Sequence, residues 1–337
     1  MNNVERTGLE SIHSIEPVIR LGVSTCLLGE RVRYDGGHKR DRFITDVLAQ
    51  FMEFVPVCPE VECGLSIPRE SMRLVGNPEA PRLIAPRSGT DYTAQMQTWA
   101  KVRLGELATE TLHGFIFKKD SPSSGLFRVK VYNEASGMPR RVGRGIFAQM
   151  FTDRFPLLPV EEERRLNDWG LRENFIERVF VYWRWSDIVM RFRLNSDPMP
   201  GELVRFHTGM KMTMLAHSPQ HYRELGSLVA QAGTLPWDEV QEKYGRLLME
   251  GMAVMGTRGK HTNVLQHLMG FLKNSLSSAD KAELLGLIED YRQGTVPLIV
   301  PLTLLKHHVA RNPAPDWVHR QVYLHPYPKE LMLRNHV

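Results

Sequence analysis

Short apolar runs alternate with longer amphipathic stretches over the first part of the chain. Residues 18–25, 54–57, 114–118 and 126–132 are short, apolar and β-prone, and they predict strands. Residues 42–51 and 92–112 carry apolar side chains at helical spacing and predict helices. In the second of these, Met96, Trp99, Val102, Leu104 and Leu107 fall mostly on one side. Strands alternating with helices predict an α/β domain built on an open, mostly parallel sheet with flanking helices. From about Glu161 helix follows helix, over residues 171–194, 200–216, 219–232, 237–254, 260–276 and 278–293, which predicts an all-α helical domain. Past Asn312, four prolines predict irregular chain wrapping the surface. The expected organisation is an α/β domain over residues 1–160, a helical linker over 161–198 and an all-helical domain over 199–337. No internal repeat is visible.

The loops that follow the predicted strands change this from a fold reading into a site reading. In open α/β sheets ligands bind outside the carboxyl ends of the strands, where separate loops converge. Three such loops, residues 26–38, 58–69 and 120–125, hold the only three cysteines, Cys26, Cys58 and Cys63, and the most unusual motifs. Cys26 stands at a strand end. Cys58 and Cys63 are separated by four residues, in a loop that Pro59 and Gly64 are expected to keep from becoming helical. Three thiolates leave two inorganic options. A structural zinc would recruit a fourth ligand such as His38, whereas a [4Fe-4S] cluster held by three cysteines would keep one iron not ligated by cysteine.

Around the thiols lie groups suited to a reaction. Asp35-Gly36-Gly37-His38 is a turn with a charged side chain at one end and a histidine at the other. Glu60, two residues from Cys58, is placed to act as a general base or to pair with Arg69. Lys118 precedes Ser121-Pro122-Ser123-Ser124-Gly125, a small-residue loop whose hydroxyls and amides can approach a ligand closely. No Gly-x-Ser-x-Gly elbow and no Walker or dinucleotide glycine motif is present, which disfavours serine hydrolysis and ATP or NAD chemistry.

Composition adds bounds. The 337 residues are 42% hydrophobic and 24% charged, ordinary for two globular cores. No run of some twenty apolar residues predicts a membrane span, and the first twenty residues, with Glu5, Glu10 and Glu16, lack a secretory signal core, so a cytoplasmic location is expected. An odd cysteine count argues against a disulfide framework. The formal charge of +5 comes from 43 basic residues scattered among 38 acids, so nucleic-acid contact is open but no dense basic stripe supports it. In the second half, His207, Lys211, His217, His221, His261 and His267 have no metal-site spacing and read as packing and surface residues. Trp183 and Trp185 read as core.

Several segments, in order, resemble the thiouracil desulfidase family over roughly residues 18–158. They are Ser24-Thr25-Cys26-Leu27-Leu28-Gly29, Val32-Arg33-Tyr34-Asp35-Gly36-Gly37-His38, Val57-Cys58-Pro59-Glu60-Val61, Pro68-Arg69, and Lys118 with Ser121-Pro122-Ser123-Ser124-Gly125. Residues 199–315, with Phe206-His207-Thr208-Gly209-Met210-Lys211 and Leu215-Ala216-His217-Ser218-Pro219, resemble the helical YbgA-like domain often fused to it. Short members usually carry Ser-Pro-Ser-Cys-Gly, where Ser124 stands here, and often glycine where Cys63 stands. The third cluster ligand is therefore expected to have moved to Cys63.

The resemblance implies non-redox desulfuration of thiolated pyrimidines such as thiouracil. Sulfur would bind the open iron of a [4Fe-4S] cluster on Cys26, Cys58 and Cys63, and Glu60 would activate water. Ser121 or Ser124 would relay protons, and Asp35, Arg69 and Lys118 would hold the substrate. The expected partner is a small thiobase or thionucleotide. The alternative expectation is a nucleic-acid-associated module in which zinc or a cluster stabilises the loops.

Overall fold

A computed structural model describes residues 18–194 and 200–336. The expectations for the first seventeen residues, for 195–198 of the linker and for Val337 lie outside the described residues. In chain order the strands are β1 (Arg20–Ser24), β2 (Glu53–Val57), β3 (Arg73–Val75), β4 (Arg82–Ile84), β5 (Gly114–Phe117), β6 (Val129–Tyr132), β7 (Pro139–Gly143) and β8 (Val160–Glu162). The helices of this half are α1 (Pro59–Glu62), α2 (Thr93–Leu107) and α3 (Ile146–Arg154). They lead into α4 (Trp169–Leu194), α5 (Pro200–His217), α6 (Pro219–Ala230), α7 (Trp237–Ala253), α8 (Arg258–Gly270), α9 (Ser278–Gln293), α10 (Ile299–Arg311) and the single turn α11 (Asp316–His319).

The fold is an α/β N-terminal region followed by a helical region. Its main sheet is wholly parallel, in the order β2-β1-β5-β8. β5 is buried along its whole length and β1 at all but its first residue, as expected for central parallel strands covered on both faces. Gly22 in β1 lets the Phe115 ring lie against the backbone, where a Cβ would meet Phe115 Cδ2 at 2.1 Å. Phe115, Phe117, Phe147 and Phe151 form the aromatic core between the sheet and α3.

Two features depart from the pattern reading. A second sheet, β4-β3-β6-β7, mixes parallel and antiparallel pairs. Three of its strands are three or four residues long, too short to show a period, and only β6 was anticipated. The expected helix over residues 42–51 is present but irregular, a wide π-helical turn over Phe43–Val47 followed by a tight 3-10 turn over Leu48–Gln50. Local side-chain bonds compete with regular helix there: Asp41 Oδ1 accepts from Ile44 N at 3.2 Å, and Thr45 Oγ1 donates back to Asp41 O at 3.1 Å.

α4 is shared by two cores. Phe175, Ile176, Val179 and Phe180 pack with Leu21, Val23 and Ile116 of the main sheet, whereas Trp185 and Phe192 pack with Leu203, Tyr244 and Leu248 among the helices. Under α4 sits a buried ionic cluster. Glu177 binds His217 Nε2 at 3.0 Å and Arg334 Nη2 at 3.4 Å, and Glu173 accepts from Tyr327 at 2.9 Å and Arg334 Nε at 3.4 Å. α10, which the sequence reading did not anticipate, begins near Pro297 and carries Pro301 in its first turn, where a missing N–H costs little.

Candidate functional site

The main sheet brings three loops to one end. After β1, Cys26 sits in a tight turn over Thr25–Leu28 that Gly29 closes at φ 100°. After β2, Cys58 caps α1, with Pro59 at its first position. After β5, the Lys118 amide donates to Ser24 Oγ at 3.0 Å, and the serine loop folds beneath the start of α3. There Gly145 N donates to Gly125 O at 2.7 Å and Phe147 N to Ser123 O at 2.9 Å. A Cβ on Gly145 would meet Ser123 O at 2.5 Å, so this close approach requires glycine.

These loops enclose a cavity of about 320 Å³, near the small end for ligand sites. Cys26, Cys58, Glu60, Arg69, Lys118, Ser121 and Ser124 all line it. Arg69 binds Glu60 Oε2 through both Nε, at 3.0 Å, and Nη2, and anchors to Val32 O at 3.0 Å. The other oxygen, Oε1, accepts from Ser123 Oγ at 2.9 Å, and Ser123 Oγ lies 2.9 Å from Ser121 Oγ. Ser123 gives its proton to Glu60, so Ser121 donates to Ser123. The Ser121 oxygen itself accepts from the amides of Ser123 and Ser124 at 3.3 and 3.2 Å. Lys118 Nζ is held by Glu163 Oε1 at 2.5 Å and by Lys119 O at 2.8 Å.

Two expected site residues are not brought to the wall. Cys63 is packed beside Leu74, Leu83 and Met96, and its thiol donates to Glu60 O at 3.3 Å. The segment expected to stay open is the helical turn α1, which Pro59 favours; Cys63 stands at its C-terminal end and Gly64, at φ 97°, follows. Among the described residues no three His, Cys, Asp or Glu side chains converge as a metal-ligand set. Asp35 is absent from the wall too. It holds the loop, pairing with Arg33 at 3.3 Å and accepting from Gly37 N at 3.1 Å, and the bond from that amide holds its carboxyl below the usual range.

The residues that pattern reading missed are partners of those it found. Ser123 links Glu60 to Ser121. Glu162 Oε1 accepts from the amides of Leu126 and Phe127 at 2.9 and 3.0 Å, and Glu163 holds Lys118 and the Lys119 amide. The visible signal was Glu161-Glu162-Glu163, three carboxylates in a row where β8 ends.

Burial pushes the Cys26 thiol up to about 11 against the pull of Lys118, and the Cys58 thiol is raised by burial as well. Both are neutral in the metal-free chain, and a metal would displace their protons. Cationic side chains outnumber acids on the wall: Arg33, Lys39, Arg69, Lys118, Lys119 and Arg164 face Glu60 and Asp120. Two thiols, a buried hydroxyl and an excess of positive charge fit a compact metal centre whose thiolate ligands make it net negative, and a [4Fe-4S] cluster is such a group. A larger cavity, about 680 Å³, lies between α2, α4 and α7 and carries no thiol.

The fold and cavity define an α/β protein with a thiol-bearing site at the carboxyl ends of parallel strands, joined to a helical half. A family model described as 2-thiouracil desulfurase matches residues 21–163, and one described as a protein of unknown function, DUF1722, matches residues 211–328. The uncharacterized protein YbgA of Escherichia coli (strain K12) is 32% identical over 138 residues, 40% of this chain and 80% of that protein. The uncharacterized protein YbbK of Bacillus subtilis (strain 168) is 29% identical over 133 residues, 38% of this chain and 86% of that protein. A solved structure described as the [4Fe-4S]-dependent thiouracil desulfidase TudS is 29% identical, covers 44% of this chain and 94% of its own, and superposes with a TM-score of 0.36. The chain belongs to the family of YbgA through its helical region, and its N-terminal region carries the match to the 2-thiouracil desulfurase model. Among the described residues no helix is long and apolar enough to cross a membrane.

Proposed function

We propose that the chain is an iron-sulfur enzyme that replaces the sulfur of a thiolated pyrimidine, such as 2-thiouracil or 4-thiouracil, with oxygen. Water enters and hydrogen sulfide leaves, with no net oxidation or reduction. Cys26, Cys58 and a third donor on the wall would hold a [4Fe-4S] cluster, leaving one iron open to substrate. When bound, the cluster supplies a Lewis acid that draws electron density from the C=S carbon and accepts the departing sulfur.

The rest falls to the chain's own side chains. A water hydrogen-bonded to Ser121 gives up a proton, Ser121 passes its own to Ser123, and Ser123 passes its own to Glu60 Oε1. Arg69 holds Glu60 Oε2, so the carboxylate presents one fixed oxygen to that chain. Lys118, with two of its three N–H bonds engaged, keeps one for a carbonyl oxygen of the base.

The observation that carries this reading is the directed chain from Ser121 through Ser123 to Glu60, on the same small cavity as two thiols from separate loops. Anaerobically reconstituted protein, assayed for sulfide against a panel of thiobases and thionucleotides, tests it. Sulfide with a matching amount of oxo-pyrimidine is expected. Fully loaded protein that releases none across the panel overturns the reading.

A further inference from the structure

We propose that Ser124 Oγ, not Cys63 Sγ, is the third protein ligand of the metal centre in this cavity. The inference rests on the iron-sulfur reading above and assigns a ligand to its site.

Ser124 is 4% exposed and lines the cavity. Its amide is used by Ser121 Oγ, and the hydroxyls of Ser121 and Ser123 are bonded to each other and onward to Glu60. Among the described residues the Ser124 hydroxyl makes no hydrogen bond. The hydroxyl oxygen keeps some access on the cavity side, so its lone pairs and proton are open to a group that occupies the cavity. Cys63 stands in the opposite situation, with an apolar surround and a carbonyl to receive its thiol proton.

Topology agrees. Cys58, Cys26 and Ser124 follow β2, β1 and β5, three adjacent strands of the parallel sheet. Donors from three neighbouring strand ends can surround one face of a compact centre, whereas Cys63 follows α1 and packs among Leu74, Leu83 and Met96. On ligation the hydroxyl proton leaves to cavity water and an Fe–O bond forms; no electron moves. Alkoxide is a harder, more basic donor than thiolate, so the cluster is harder to reduce and holds its oxygen-ligated iron less firmly than with three thiolates.

The test uses the full chain, reconstituted anaerobically, with iron and acid-labile sulfide counted per chain and the EPR spectrum and midpoint potential of the reduced cluster recorded. Circular dichroism of each metal-free variant checks folding. Cys63→Ser is expected to keep the iron count, spectrum and potential of the parent. Ser124→Ala is expected to lose iron severalfold, and Ser124→Cys to keep it with an altered spectrum and a more positive potential. Loss of iron in Cys63→Ser together with parental iron and spectrum in Ser124→Ala overturns the assignment in favour of Cys63. Parental properties in both variants also overturn it, and leave the iron-sulfur reading standing. A parent chain that binds no iron sinks that reading and this one together.

Discussion

The cavity wall and the ionic cluster beneath α4 both hold polar groups away from water, and they differ in how completely those groups are paired. Under α4, the two carboxylates share His217, Arg334 and Tyr327, while His217 Nδ1 reaches Val254 O at 2.7 Å and Arg334 Nη1 donates to Tyr323 O at 2.6 Å. Burial alone would raise Glu177, but His217 and Arg334 outweigh it and bring Glu177 down to about 2. At the wall, by contrast, the Ser124 hydroxyl makes no hydrogen bond among the described residues, and cations exceed acids. Closed pairing marks groups that hold the fold together, and incomplete pairing marks groups positioned for something that arrives from outside.

The sharpest way to break this contrast is Glu60→Gln. It removes the proton acceptor at the end of the serine chain and should lower sulfide release by about 10²- to 10⁴-fold. Iron per chain should stay unchanged. Loss of iron in this variant would mean that the wall is a single structural unit.

Next in size is Arg334→Met. It leaves Glu177 and Glu173 short of a buried countercharge and should cost about 3–5 kcal/mol in denaturant unfolding. Adding Glu177→Gln should restore part of that loss. An Arg334→Met variant as stable as the parent would show that the closed cluster does not support the fold.

Acid sharpens the comparison through histidines in both halves of the molecule. Burial holds His113 and His207 down to about 4 and His261 down to about 3. Each is neutral in the folded chain and takes up a proton near pH 6.5 when unfolded. Acid therefore favours the unfolded state, by up to about 1.4 kcal/mol per pH unit for each histidine between pH 6.5 and its folded value. Burial would lower His217, but Glu177 raises it, and Glu173 is raised by burial and by the charge on Glu177. The gain from His217 is already complete below pH 6.5, so Glu173 alone opposes the trend, and stability should fall between pH 6.5 and 5 by less than three independent histidines would give. Denaturant midpoints across that range measure it, and a midpoint that rises with acid refutes it.

The smallest effect belongs to Asp35→Asn. An exposed carboxylate off the wall should leave iron content and sulfide release within assay scatter. A clear loss of activity would return Asp35 to the substrate site.

How much of this was legible depended on whether a signal was local. The parallel sheet and most of the helices followed from period and length, and strand-end loops located Cys26, Cys58, Glu60 and the serines. The direction Cys63 takes was not legible, because it follows from one helical turn that Pro59 starts, and Cys-x4-Cys spacing is compatible with either outcome. Ser123, Glu162 and Glu163 act through partners 35 to 63 residues away, which no window along the chain reveals. Asp35 looked functional because turns and binding loops share the same residues.

The register of the main sheet also sets when the cavity can exist. Leu21 pairs with Gly114, and Phe115 with Val160, so the cradle closes only after strands far apart in the chain have met. Contacts of that separation form late and slowly. A nascent chain that has emerged only as far as Gly64, just past α1, already carries all three thiols but has no serine loop opposite them. Loading is therefore expected to follow folding, and interrupted synthesis should yield chains that carry the cysteines yet retain no iron.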